Sequence, residues 1–125
     1  MTEGDPCIFC EIIAGRSPAT WVVEPDHWPD VVAFFPLNPV TEGHTLFVPK
    51  VHVPHYAYEP EIYAAVSRRV AELMRWSPRP ANVITSCGVE ATQSVFHLHV
   101  HLIPRSYNDG LALPWHSGKG HHAST

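Results

Sequence analysis

The sequence is poor in charge for its length and has no excess of basic residues. Only 16% of its 125 residues are charged, and 12 acidic side chains outnumber 8 basic ones. Nucleic acid is therefore not an expected partner, although a small anionic substrate needs only local positive charge. A hydrophobic content of 45% is typical of one globular domain with a single core.

Long apolar runs and a disulfide framework are also missing. No stretch approaches the roughly 18 apolar residues of a membrane-spanning helix, so no membrane partner is predicted. The first six residues lack the basic and apolar regions of a signal peptide. Of the three cysteines, Cys7 and Cys10 lie close together and Cys87 stands alone. These absences predict a cytoplasmic protein.

Thirteen prolines predict few helices and many connections. A first helix is expected over Cys7–Ala14, between an N-cap at Asp5 and a terminating glycine at Gly15. A second helix is expected to begin near Pro60, where apolar residues start to recur at helical spacing. Both helices are expected to cover the same face of a sheet.

Short runs of β-branched and aromatic residues predict five strands, at 21–24, 31–35, 44–48, 82–86 and 95–103. An antiparallel sheet of about five strands with two helices defines an α+β fold. We assign residues 1–105 to this domain. Residues 106–125 are polar and without periodicity, which predicts an extended C-terminal tail with Trp115 as its one large apolar anchor.

The most informative segment is 96–103, in which histidine alternates with aliphatic residues. Alternate side chains of a strand point to opposite faces, so His97, His99 and His101 are expected to share one face. A lone histidine on a strand is usually solvated, but three in strict alternation are not typical of a polar sheet face. Two interpretations remain: a metal site, or phosphorus chemistry with a neutral imidazole as nucleophile.

The segment His97–Ile103 resembles the signature of the histidine triad (HIT) family, in which three histidines alternate with apolar residues. The segments 93–96, 43–52 and 7–13 are similar to the same family, so the resemblance spans residues 7–105. It implies a homodimer whose two five-stranded sheets join into one. It also implies cleavage at the α-phosphorus of nucleoside phosphoramidates, dinucleoside polyphosphates or similar purine nucleotide conjugates.

The resemblance also implies roles for individual residues. His99 is the nucleophile that becomes nucleotidylated, His101 contacts the phosphate and assists the leaving group, and His44 supports the orientation of the nucleophile. Hydrogen bonds to the phosphate or leaving group are implied for Gln93, Ser94 and Ser86. An apolar slot for base and sugar is implied for Ile8, Phe9, Ile12, Phe34 and Leu37.

The Cys7-x-x-Cys10 pair by itself suggests packing, redox chemistry or metal binding. Similar HIT proteins that carry this pair bind zinc, and the implied ligands here are Cys7, Cys10, His52 and His97. Two thiolates and two imidazoles suit a closed, structural zinc site. His97 would then take no part in acid–base chemistry. No organic cofactor is expected.

Two other functions compete with a covalent nucleotidyl hydrolase or transferase. One is a nucleotide-binding module with weak turnover, which is suggested by Pro36, where many relatives carry an aspartate, and by the short side chain of Ser86. The other is a metal-dependent hydrolase, which needs a further ligand near His99 and His101. The sequence offers no such ligand at an obvious spacing.

Overall fold

A computed structural model describes residues 6–120 of the chain. Its elements, in chain order, are α1 (Ile8–Ile13), β1 (Thr20–Trp21), β2 (Val31–Phe35), β3 (Thr45–Pro49), α2 (Pro60–Trp76), β4 (Ala81–Ile84) and β5 (Val100–Pro104). The strands form one antiparallel sheet in the order β1-β2-β3-β5-β4. The predicted α+β fold with a five-stranded antiparallel sheet is confirmed.

The first helix begins later than the sequence predicts. Its N-cap is Cys7, whose sulfur accepts a hydrogen bond from the main-chain N–H of Cys10 at 3.3 Å. Asp5, the predicted cap, lies outside the described residues. Gly15 has a φ of +79° just after the helix, as expected for a residue that ends a helix.

The two helices pack against opposite faces of the sheet, so the prediction that they share a face is wrong. Val66 and Val70 of α2 pack on one face with Val31 and Ala33, and Phe9 of α1 packs on the other face. The reason lies in β2, whose five residues are hydrophobic without alternation, because both of its faces are buried. A strand of this kind needs a cover on each side.

The last strand is shorter than predicted, since β5 starts at Val100 and not at residue 95. The alternation of buried aliphatic residues with histidines nevertheless begins before the strand. Leu98, Val100 and Leu102 enter the core under α2, and all three are at most 1% exposed. The histidines between them therefore lie towards the other face, where α1 packs.

The residues that follow β5 turn back on themselves. Arg105 pairs with Asp109 through two hydrogen bonds of 2.8 and 2.9 Å, and it also donates to the side chain of Asn82 on β4. Further along, the main-chain N–H of Gly110 donates to the carbonyl of Gly118. The domain boundary at Arg105 stays a prediction. Within residues 6–120, no helix combines the length and apolarity needed to cross a membrane.

We expect Thr92→Gly to stabilise the protein. Thr92 has a φ of +71°, in the left-handed region that a β-branched residue adopts only at a cost and glycine adopts freely. The free energy of unfolding should rise by about 1 kcal/mol. Denaturant unfolding measures it, with Thr92→Val as the control that keeps the branched side chain. A Thr92→Gly protein less stable than the parent would contradict this explanation.

Candidate active site and metal centre

Hydrogen bonds hold both the side chain and the main chain of His99. Its Nδ1 lies 2.8 Å from the carbonyl oxygen of His97. Because a carbonyl only accepts, Nδ1 carries the proton and Nε2 of the neutral ring keeps a lone pair. The carbonyl of His99 accepts a hydrogen bond of 2.7 Å from the hydroxyl of Thr85, which follows β4. The structure thus presents the imidazole in the tautomer that a nucleophile requires.

Two rings border the His99 imidazole. The Phe9 ring meets it edge-on, with 5.1 Å between the ring centroids, and the His101 ring lies 5.2 Å away. Burial lowers the pKa of His99 below its usual value, which outweighs the opposing effect of the hydrogen bond to His97. A neutral His99 at pH 7 follows.

His44 and His101 form a second pair of rings beside His99. The Nε2 of His44, just before β3, lies 2.9 Å from the Nδ1 of His101 on β5. His44 is only 4% exposed. Burial lowers the pKa of His44, and burial together with the neighbouring histidines lowers that of His101 to about 4. The structure therefore brings together the three histidines for which the family resemblance implies a catalytic role.

Gln93 is buried, and its side chain is already engaged. Its amide nitrogen donates to the carbonyls of Pro54 and Val95, at 2.6 and 3.0 Å, and its carbonyl accepts from the N–H of Gly88 at 2.9 Å. All three partners are main-chain groups of the surrounding loops. The carboxamide therefore fastens the loop before the histidines to the segment after β3.

The other implied substrate contacts differ in exposure. Ser94 is exposed and Ser86 is half-buried. In the apolar slot, Phe9, Ile12 and Phe34 are buried in one cluster, whereas Ile8 is 42% and Leu37 is 98% exposed. The three buried members thus pack α1 against β2, and the other two are accessible to solvent.

A second cluster of side chains joins α1 to the sheet. One ligand atom from each of Cys7, Cys10, His52 and His97 lies within 4.8 Å of all the others. The sulfur of Cys7 is 3.3 Å from the Nδ1 of His97, and that of Cys10 is 3.2 Å from the Nδ1 of His52. Ligands around a tetrahedral zinc ion stand about 3.5 Å apart. The cluster can therefore bind a metal ion.

The protonation of His97 also suits a cation, whereas that of the Cys10 thiol does not until a cation is bound. The Nε2 of His97 donates to the carbonyl of Pro49 at 2.8 Å, so its Nδ1 has a lone pair directed among the sulfurs. Burial lowers the pKa of His97 to about 4, which keeps the ring neutral. Burial, followed by the hydrogen bond and charge of Cys7, raises the pKa of Cys10 to about 11. A bound cation would reverse that effect on the thiol.

Several groups that shape the site are absent from the predicted set. The carbonyls of His97 and Pro49 and the N–H of Val40, which donates to the Nδ1 of His44 at 3.1 Å, belong to the main chain. A main-chain group leaves no mark in a sequence because every residue carries one. The hydroxyl of Thr85 is a side-chain group, but no spacing distinguishes it from other threonines.

Fold and site together define an α+β protein with three clustered histidines next to a Cys2His2 set. The family model of the HIT domain matches residues 15–108 of this chain. Protein hit of Bacillus subtilis is 40% identical over 122 residues, which cover 92% of this chain and 82% of that protein. Adenylylsulfatase HINT3 of Arabidopsis thaliana is 33% identical over 116 residues, which cover 88% of this chain and 57% of that protein.

A solved structure shows the same likeness. A zinc-bound histidine triad family protein from Mycobacterium smegmatis has a TM-score of 0.70 and 34% identity, covering 85% of this chain and 79% of that chain. The chain belongs to the HIT family, as its sequence predicts. It is thereby a member of a superfamily of hydrolases and nucleotide-binding proteins.

We expect the stability of the protein to fall between pH 6.5 and pH 4 through His101. Its folded-state pKa of about 4 lies below the ordinary histidine value of 6.5, so below pH 6.5 the unfolded chain binds the proton first. Full titration removes up to about 3 kcal/mol of the free energy of unfolding. Unfolding measured across this range should be less pH-dependent in His101→Asn than in the parent. The exposed His27→Asn serves as control, and equal slopes in all three proteins would refute the expectation.

Proposed function

We propose that the protein is a nucleotidyl hydrolase or transferase that acts through a covalent nucleotidyl-His99. Its substrates are nucleoside phosphoramidates, dinucleoside polyphosphates or similar purine nucleotide conjugates. The observation that carries the proposal is the hydrogen bond from the Nδ1 of His99 to the His97 carbonyl, since it leaves the Nε2 lone pair available. The adenylylsulfatase name of one relative fits a nucleotide conjugate as substrate.

The reaction has two steps at phosphorus. In the first, the Nε2 lone pair of His99 forms a bond to the α-phosphorus while the bond to the leaving group breaks, and the leaving group takes the electron pair. In the second, water or another acceptor attacks the same phosphorus, loses a proton, and releases His99. His101 would contact the phosphate oxygens, with His44 behind it. Hydrogen bonding at this position stabilises the charge that develops there.

The other proposed substrate contacts follow from where the residues lie in the fold. Ser94 is exposed at the loop that precedes the histidines, where its hydroxyl would donate to phosphate, with Ser86 as a second donor from the loop after β4. The buried carboxamide of Gln93 would hold that loop in place. The apolar slot, with Ile8 and Leu37 at its rim, would take the base and sugar.

We also propose that the Cys2His2 cluster binds zinc and that its role is structural. Of the triad, only His97 belongs to the cluster, whereas His99 and His101 lie outside it. Four protein ligands leave no open position for water, which argues against a metal-dependent hydrolase. Zinc supplies a fixed link between α1 and the sheet. Since a reducing compartment keeps cysteine thiols available as ligands, a cytoplasmic location is part of the proposal.

A homodimer is the last part of the proposal. Among residues 6–120, the strand β4 lies at one edge of the sheet and has β5 as its single neighbour. Val83 and Ile84 on this strand are 55% and 39% exposed. An edge strand with exposed aliphatic residues is suited to pairing with another chain. A second copy joined along β4 would give the continuous sheet that the family resemblance implies.

Removing the nucleophile tests the reaction. With an adenosine phosphoramidate as substrate, we expect the parent protein to turn over in the presence of chelator. His99→Ala and His99→Gly should be slower by roughly 10³-fold or more, because no other group takes over the attack. Intact-mass spectrometry of a quenched reaction should show one added nucleotidyl group in the parent, and peptide mapping should place it on His99. His55→Ala is the control. Nucleotide binding without any adduct or turnover would favour the binding-module alternative.

Metal analysis tests the zinc site. Protein purified without chelator should carry about one zinc per chain, and removing the metal should lower the melting temperature, because a ligand bound only by the folded state stabilises it. Cys10→Ser should lose zinc, whereas Cys87→Ser, at an exposed cysteine outside the cluster, should retain it. A metal-free protein whose melting temperature does not respond to added zinc would rule the site out.

A further inference from the structure

The loop between β2 and β3 makes a main-chain contact with the His44–His101 pair. The N–H of Val40 donates to the Nδ1 of His44 at 3.1 Å, and the Nε2 of His44 lies 2.9 Å from the Nδ1 of His101. Three groups are thereby joined in one chain of hydrogen bonds. Only the first of them, a main-chain amide, has a fixed direction of donation.

That fixed direction determines the protons of both rings. An amide N–H cannot accept, so the Nδ1 of His44 must be the acceptor and the single proton of the neutral ring lies on Nε2. The Nε2–H of His44 then donates to the Nδ1 of His101. The one proton of a neutral His101 is left on Nε2, the nitrogen that does not face His44.

We propose that the main-chain N–H of Val40 is a positioning group that sets the tautomers of His44 and His101. Through two hydrogen bonds it makes the Nε2 of His101 a donor. The proposal rests on the proposed function only in identifying that donor's target as phosphate. The tautomers themselves follow from the hydrogen bonds, whatever the substrate is.

Burial supports the neutral state of the two rings. His44 is nearly inaccessible, and the pKa values of both rings are lowered by burial, that of His101 to about 4. Among the described residues, the titratable group that faces the pair is His99, whose ring lies 5.2 Å from that of His101. A second proton on the Nδ1 of His101 would face the Nε2–H of His44. Uptake of a proton by the pair therefore requires one hydrogen bond to break.

The contribution of Val40 does not depend on its side chain, which is 51% exposed. Every amino acid except proline supplies the same N–H at this position. Pro39, immediately before it, has none to offer. The requirement for an N–H at position 40 excludes only proline, so alanine scanning would miss it.

Imidazole ¹⁵N NMR of the whole protein tests the tautomers directly, without substrate. We expect the Nε2–H tautomer for His44 and for His101. A main-chain ester at Val40, which replaces the N–H by oxygen, should shift His44 towards the Nδ1–H tautomer. A matched ester at Asn38, an exposed position of the same loop, and Val40→Ala should both keep the parent spectrum. An Nδ1–H His44 in the parent, or an unchanged spectrum in the Val40 ester, would overturn the proposal.

The rate of His99 nucleotidylation provides the functional readout. Loss of one orienting hydrogen bond should slow the single-turnover rate of the Val40 ester about tenfold, with the dissociation constant of the nucleotide unchanged. In a His44→Ala background the same ester should have no further effect, because the amide acts through His44. An equal loss in both backgrounds would overturn the proposal. A parent protein that forms no adduct would refute the proposed function and leave the NMR result to decide the tautomers.

Discussion

The site depends on one constraint, the alternation of side chains along residues 97–102. The aliphatic residues of this segment are buried under α2 and hold it in place, so the histidines between them must lie towards the other face. A shift of one residue would exchange the two sets and place three imidazoles in the core. The same segment supplies aliphatic residues to the core and histidines to the candidate site. Packing under α2 therefore determines where the histidines lie on the other face.

His97 and His99 illustrate how the two clusters depend on each other. The ring of His97 belongs to the metal-binding set, while its carbonyl accepts the proton of His99. Phe9, between the two cysteines of α1, touches both rings edge-on. A six-residue helix has little stability of its own. The cysteines and Phe9 together therefore tie the helix to the side of the sheet where His99 lies.

Main-chain groups do much of the positioning in this protein. The carbonyls of His97 and Pro49 and the N–H of Val40 each orient an imidazole. The side chain of Gln93 bonds to three main-chain groups. A main-chain donor or acceptor has a fixed polarity, whereas a second imidazole can reverse its own. Fixed partners of this kind select one tautomer of each ring, which matters for the proposed roles of His99 as nucleophile and His101 as donor.

The sequence by itself determined the α+β class and β2 to the residue, because strand-forming runs and the turn formers between them are local properties of residue types. The four members of the Cys2His2 set were implied by the resemblance to the HIT family. It did not determine that α1 and α2 cover opposite faces, nor that β5 starts only at Val100. Only the tertiary structure decided the partners of His44, His97 and His99. The Nδ1 of His101 lies 57 residues along the chain from its partner His44, and the carbonyl of Pro49 lies 48 residues from its partner His97. The pairing of β3 with β5 brings these groups together, and residue identity alone does not reveal it.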